Sequence, residues 1–259
     1  MKVSITLPAY NEQTTLEEVV DEALAAGTEM SVDFEVLIVD DGSSDGTGEL
    51  ADRLAREKAK VRVVHHEHNR GFSGAMRSCV EEAAGEYVFL GPADGQAGFD
   101  EIHRFWALIG DYDLIFSCRA GRDDSARRKL SSAIWYTFLK ILFGQTIPEF
   151  SSTFMFRRAA IPEFPVKIRP DASNFLPILY LTAVTGGRRV TSLPTMQYQR
   201  RGGVAKGGSV TNTARTVIED VELWWRLRVA PKARRRRPAP APAHGGPERH
   251  DATATGKGD

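Results

Sequence analysis

The chain has 259 residues, 42% of them apolar and 26% charged, and its 34 basic side chains balance 34 acidic ones. That is enough for one large domain or two small ones with a buried core, and it excludes a disulfide-stapled miniprotein, a collagen and a wholly disordered chain. The neutral total hides an asymmetry. From Pro231 onward seven basic residues face three acidic ones, leaving 27 basic and 31 acidic in residues 1–230, so a mildly acidic body carries a basic tail.

Residues 2–7 lack the charged, apolar and small-residue regions of a signal peptide and read as an opening strand. β-branched runs then alternate with helical patterns: helix 12–26, strand 34–40, helix 47–58, strand 61–65, helix 71–84, strand 87–90. Such an order predicts a mainly parallel sheet flanked by helices, with ligands at the carboxyl ends of the strands. The second half is less regular. It predicts a strand at 113–117, a helix at 127–143 with a broad apolar face, a strand at 153–157, a helix at 175–185 despite Pro177, a strand at 189–198 and a helix at 211–229. Beyond it, four successive arginines (234–237) and Pro-Ala repeats bury too little apolar area to offset their ordering entropy, so residues 231–259 are expected to be a disordered tail behind a domain of residues 1–230. The longest apolar stretch, 133–143, is interrupted by Lys140 and falls well short of the roughly 20 residues of a membrane span. Cys79 and Cys118 lie on separate predicted elements, which suits a reducing compartment and offers no zinc-ligand spacing.

Chemistry-bearing residues cluster where strands are expected to end. Asp40-Asp41-Gly42-Ser43-Ser44-Asp45-Gly46-Thr47 delivers two carboxylates and a glycine turn from a buried strand, suited to a base, a ribose or a metal-bound diphosphate; the competing reading is a helix cap by Ser44 or Asp45. Gly91-Pro92-Ala93-Asp94-Gly95-Gln96 can present a carboxylate and an amide to a hard cation, or be an ordinary turn. His65, His66 and His68 show no metal spacing, since strand geometry sends His65 and His66 to opposite faces. The helix at 127–143 carries more apolar surface than one core stripe requires and reads as lipid-facing ahead of core packing, whereas the pair Trp224-Trp225 reads as buried packing ahead of membrane contact. The arginine run lacks any recognition fold around it, so no specific nucleic acid is expected.

Together these motifs resemble a family 2 glycosyltransferase of the GT-A type, in particular its polyprenyl-phosphate (dolichyl-phosphate) branch. The opening Leu7-Pro8-Ala9-Tyr10-Asn11-Glu12, the stretch Val39 to Thr47, Asn69-Arg70-Gly71 and Ala93-Asp94-Gly95-Gln96 are similar to four successive family motifs, and weaker matches continue to Lys206. The resemblance implies a GT-A-type α/β fold, a nucleotide-diphospho-sugar donor and a polyprenyl phosphate acceptor. It gives Pro8, Ala9, Tyr10, Glu12, Asp40, Asp41 and Gly71 to the nucleotide, and Asp94 with Gln96 to a divalent metal, Mg or Mn, and its diphosphate. Arg119, Arg127 and Ser131 fall to the acceptor phosphate, and Arg201 and Lys206 close over the donor phosphates. Arg128 and Ser132 fit the same spacing as Arg127 and Ser131.

Two departures stand out. The family's Asp-x-Asp is Pro92-Ala93-Asp94 here, and its usual acidic residue near positions 174–179 is missing. A hydroxyl acceptor needs a positioned base, whereas a phosphate is already an anion and needs positioning and arginines. The second loss therefore weighs more heavily against a sugar acceptor than against a lipid phosphate. The expected activity is inverting, metal-assisted sugar transfer to a polyprenyl phosphate at the cytoplasmic inner face of a membrane, by surface attachment or through a membrane subunit. A soluble hydroxyl acceptor, or a nucleotide-sugar-binding protein without turnover, is the alternative.

Overall fold

A computed structural model describes residues 2–91, 93–95, 98–119, 126–144, 153–161, 174–195 and 210–229. The regular first half forms β1 (Lys2–Ala9), α1 (Leu16–Glu29), β2 (Asp33–Asp40), α2 (Thr47–Glu57), β3 (Val61–His65), α3 (Gly71–Glu82) and β4 (Tyr87–Leu90). A short 3-10 turn then leads into α4 (Ile102–Leu108), followed by β5 (Leu114–Arg119), α5 (Ala126–Phe143), β6 (Phe154–Arg157), α6 (Phe175–Thr185), β7 (Val190–Thr195) and α7 (Val210–Val229). The sequence gives no sign of α4, because seven residues make under two turns and show no readable helical period. α1 starts four residues later than its apolar pattern suggests. Asn11 adopts a left-handed φ of 55°, and the Glu12 carbonyl accepts the amides of Thr15 and Leu16, closing a turn before the helix proper. Pro177 sits in the first turn of α6, where its missing N–H leaves no helical hydrogen bond unmade.

The strands make one seven-stranded sheet in the order β3-β2-β1-β4-β6-β5-β7. β6 runs antiparallel to both of its neighbours, and every other adjacent pair is parallel. β7 is an edge strand, which accommodates Pro194. Both faces are covered. Val36 and Ile38 of β2 join the core under α1, α2 and α4, while Leu37 and Val39 join the core on the opposite face, under α3, α5 and α6. That double burial is why β2 reads as a continuous apolar run instead of an alternating one. On the second face Phe116, Phe154, Phe156 and Phe175 are fully buried, and Leu139 of α5 and Leu223 of α7 close the layer.

Candidate active site

Because β1, β2, β3 and β4 are parallel, their carboxyl ends share one rim, and the loops that leave it are bonded to one another. The Asn11 amide donates to Ser43 Oγ (3.0 Å), and Asn11 Oδ1 accepts the Ser44 amide (2.9 Å). The Glu12 amide donates to Thr47 Oγ1 (2.9 Å) at the start of α2. Thr15 Oγ1 lies 3.2 Å from both Glu12 Oε2 and the Ala93 carbonyl, tying the first loop to the turn that carries Asp94. Three separate loops thus form one continuous wall, with Pro8 and Tyr10 half-exposed and Glu12 buried.

Asp40 and Asp41 are both buried, at 4% and 2% exposure. Asp40 Oδ1 accepts the Ser43 amide, which shapes the glycine turn, and its Oδ2 lies 2.9 Å from His65 Nδ1. Asp41 Oδ1 lies 2.6 Å from His66 Nδ1 and accepts the Arg70 amide, while Oδ2 accepts Asn69 Nδ2. The alternation that sends His65 and His66 to opposite faces does the same to Asp40 and Asp41, and the parallel register sets Asp40 against His65. Each histidine therefore meets its own carboxylate. Sequence reasoning leaves these histidines without partners because the pairing appears only once β2 and β3 are known to be neighbours. Burial alone would lower the His65 pKa, but bonding to Asp40 and Asp52 outweighs it and raises the value. The N-cap of α2 is Gly46, and Asp45 just before it accepts the Thr47 amide at 2.9 Å, closing a turn at the start of the helix. Burial opposes ionisation there, and the bonds to Thr47 overcome it to lower the Asp45 pKa.

Asp94 is half-buried at the end of β4, on the same rim. Among the described residues no group of three or more His, Cys, Asp or Glu is arranged to hold a metal ion. This donor set suits a hard cation that arrives bound to a diphosphate, since such a cation takes most of its ligands from phosphate and water and only one or two from carboxylates. Gln96, Arg201 and Lys206 lie outside the described residues, as do the side chains of Arg119, Arg127, Ser131, Arg128 and Ser132; the backbone places Arg119 at the rim end of β5 and Arg127 and Ser131 in the first turns of α5.

Near the position of the missing acidic residue the structure supplies another. α6 ends beside the amino ends of β5 and β7, where the Asp113 amide donates to Arg189, so its first residues lie toward the rim. There Asn174 Nδ2 donates to the Glu219 carbonyl of α7 (3.2 Å), and Asp220 is fully buried beside Trp135 and Asn174. Burial pushes the Asp220 carboxyl up to about 7; Trp135 and Asn174 pull against this and the charge of Glu219 reinforces it. Neither Asp220 oxygen has a partner at full hydrogen-bond geometry among the described residues. Fully buried, it is not an exposed base. Its position in α7, far along the chain, gave no signal in the sequence.

The sequence profile of glycosyl transferase family 2 matches residues 4–163, the span that builds the rim described above. The chain belongs to that family. The chain is 30% identical over 207 residues to the undecaprenyl-phosphate 4-deoxy-4-formamido-L-arabinose transferases of Serratia proteamaculans and Yersinia enterocolitica, covering 79% of this chain and 62% of each relative. The chain thus spans about 62% of the length of these curated relatives. Among solved structures, it resembles glucosyl-3-phosphoglycerate synthase from Mycobacterium tuberculosis in complex with Mn2+, UDP and phosphoglyceric acid (TM-score 0.61, 17% identity, 88% of this chain and 78% of that one). It also resembles a mannosyltransferase from Pyrobaculum calidifontis in complex with GDP-Man and Mn2+ (TM-score 0.58, 19% identity, 86% and 64%). The fold is thus the α/β GT-A type that the motifs imply.

Among the described residues of the family 2 domain no helix is long and apolar enough to cross a membrane. The apolar face of α5 is split. Trp135, Tyr136, Phe138 and Phe143 pack against the core, while Ile134 and Ile141 are 62% and 78% exposed. On α7, which packs beside α5, Leu223 is buried and Ile218, Val221 and Trp225 face outward. The sequence treats all the large apolar residues of α5 as one surface; the structure assigns Trp135 and Phe138 to the core and leaves the two isoleucines outside.

Proposed function

We propose that this chain transfers a sugar from a nucleotide-diphosphate donor to a polyprenyl phosphate, with inversion at the anomeric carbon and with a divalent metal, Mg or Mn. The observation that carries the reading is the bonded wall of three loops, which brings Glu12, Asp40, Asp41 and Asp94 to one rim of a family 2 domain. The names of its relatives, undecaprenyl-phosphate sugar transferases, support the acceptor class.

In this reading the first two loops hold the nucleoside, with Pro8, Ala9 and Tyr10 on one side and the Asp40–Asp41 turn and Gly71 on the other. Asp94 and Gln96 would hold the metal, which stabilises the charge growing on the leaving diphosphate. An acceptor phosphate oxygen bonds to the anomeric carbon from the face opposite the diphosphate while the bond to the diphosphate oxygen breaks. No proton has to be removed from the acceptor, in keeping with the absence, among the described residues, of an exposed acidic residue at the start of α6. Arg119, Arg127 and Ser131 orient that phosphate, and Arg201 and Lys206 close over the donor.

A bilayer-borne acceptor requires contact with a membrane. The outward Ile134, Ile141, Ile218, Val221 and Trp225 provide an apolar face for shallow insertion, with Lys140 exposed beside them and Arg226 on the same helix as Trp225. In this reading the protein works peripherally, on the inner, cytoplasmic face.

The deciding assay combines purified protein, labelled nucleotide sugars, divalent metal and polyprenyl phosphate, and asks for lipid-linked sugar. Asp94→Asn should reduce product by at least ~100-fold, a typical loss for one transition-state electrostatic contact, without lowering the melting temperature. Wild-type levels of product from that variant would remove Asp94 from the mechanism. Nucleotide binding with no product from any acceptor would favour the non-catalytic alternative, which the single carboxylate at Asp94 motivates.

A further inference from the structure

We infer that His66 is a positioning residue of the donor site: it fixes the Asp41 carboxylate and, through it, the turn 69–71 against which the nucleotide is placed. The inference deepens the donor reading above and rests on it. His66 is 5% exposed and bonded on both ring nitrogens, to Asp41 Oδ1 at 2.6 Å and to Ser78 Oγ at 2.9 Å. The carboxylate can only accept, so Nδ1 carries the proton in that bond, and the Ser78 hydroxyl, able to donate or accept, completes the bonding at Nε2.

Asp41 spends its remaining acceptor capacity on the following turn. Its Oδ1 also takes the Arg70 amide (2.8 Å), and its Oδ2 takes Asn69 Nδ2 (3.0 Å), while Asn69 Oδ1 accepts the Gly71 amide (3.1 Å). A buried carboxylate held by three protein donors cannot turn to a ligand without leaving one of those donors unpaired, which is costly in the interior. Asp41 therefore serves the nucleotide by shaping the turn, and direct contact falls to groups nearer the surface. A second contact makes the arrangement rigid: Gly42, at a φ of +65°, lies so close to the backbone of His68 and Asn69 that a Cβ there would come within 2.6 Å of the His68 carbonyl carbon. The turn after β2 and the turn before α3 thus behave as one body, and His66 is the side chain that joins them from below.

The test uses the full chain and two substitutions that divide the imidazole between them. His66→Asn keeps a donor near the Nδ1 position, and His66→Gln keeps a polar group near Nε2. Titration with UDP and GDP in the presence of Mn2+ measures affinity, amide hydrogen exchange at Arg70 reports the turn, and thermal melts report the fold. His66→Gln should lose Arg70 protection and bind nucleotide about tenfold more weakly, while His66→Asn stays within about twofold of wild type on both counts. Asn69→Ala, which cuts the same carboxylate link at the surface, should weaken nucleotide binding without unfolding the protein and keeps the test decisive if His66→Gln fails to fold. Equal melting losses in both His66 variants with unchanged nucleotide affinity would overturn the inference, as would an Arg70 amide that stays protected in His66→Gln. A wild-type protein that binds neither nucleotide would instead sink the donor reading, and exchange at Arg70 would still decide whether His66 holds the turn.

Discussion

A buried carboxyl and a crowded glycine give measurable consequences at the scale of single residues. Asp220 has a folded pKa raised to about 7, so the native state holds its proton where the unfolded chain has released it. Its contribution to stability is complete below the unfolded value near 4, is lost as pH rises through 7, and is constant beyond. Asp220→Asn should therefore melt close to wild type near pH 4 and higher above pH 7, by on the order of 5 °C. A gap that fails to widen between those limits would show that the carboxyl is ionised in the fold. Gly42 is constrained in the opposite sense: its left-handed φ and the backbone of His68 and Asn69 leave no room for a methyl group. Gly42→Ala should cost about 2 kcal/mol or more and lower the melting temperature by several degrees, with nucleotide binding weakened in parallel.

At the scale of elements, α5 and α7 divide their apolar residues between the core and the outside, and the division can be read by mutation. Ile134→Ser with Ile141→Ser removes exposed groups only, so melting should be nearly unchanged, while sedimentation with anionic liposomes at low salt should fall by severalfold as apolar contact is lost. Trp135→Ala should do the reverse, lowering stability by roughly 1–3 kcal/mol through lost packing. Liposome binding that survives the isoleucine pair would move the membrane contact elsewhere. The apolar content of α5 was legible in the sequence, but its orientation was not. A helix with apolar residues on most of its faces has no single stripe to declare which side meets the core.

At the scale of the whole molecule, the two parallel parts of the sheet join through one reversed strand, β6, and this sets the carboxyl end of β5 on the same rim as those of β1, β2, β3 and β4. A ligand that binds only the assembled rim stabilises the entire fold. UDP or GDP with Mn2+ at about a hundred times the dissociation constant should add ~2.7 kcal/mol, which for a chain of this size raises the melting temperature by roughly 5–10 °C. The shift should shrink on chelation of the metal and be smaller in Asp94→Asn; nucleotide stabilisation indifferent to both would separate nucleoside binding from the Asp94 turn.

The sequence by itself determined the alternating strands and helices, the rim on which the loops gather and the family, because these rest on local periodicity and on short motifs whose residues are neighbours in the chain. Asp40 and Asp41, Asp94 and the turn at 69–71 could all be named from their own segments. Only the tertiary structure decided which groups those carboxylates engage. His65 and His66 lie 25 residues from Asp40 and Asp41 and meet them because β3 pairs with β2 in one register. It also decided that β6 runs backward between β4 and β5, that Asp220 of α7 is buried beside Asn174, where this chain lacks the family's acidic residue, and that Ile134 and not Trp135 faces outward. Each of these is a contact between distant segments, fixed by strand register and by which helix face the core can accept, and no local pattern carries that information.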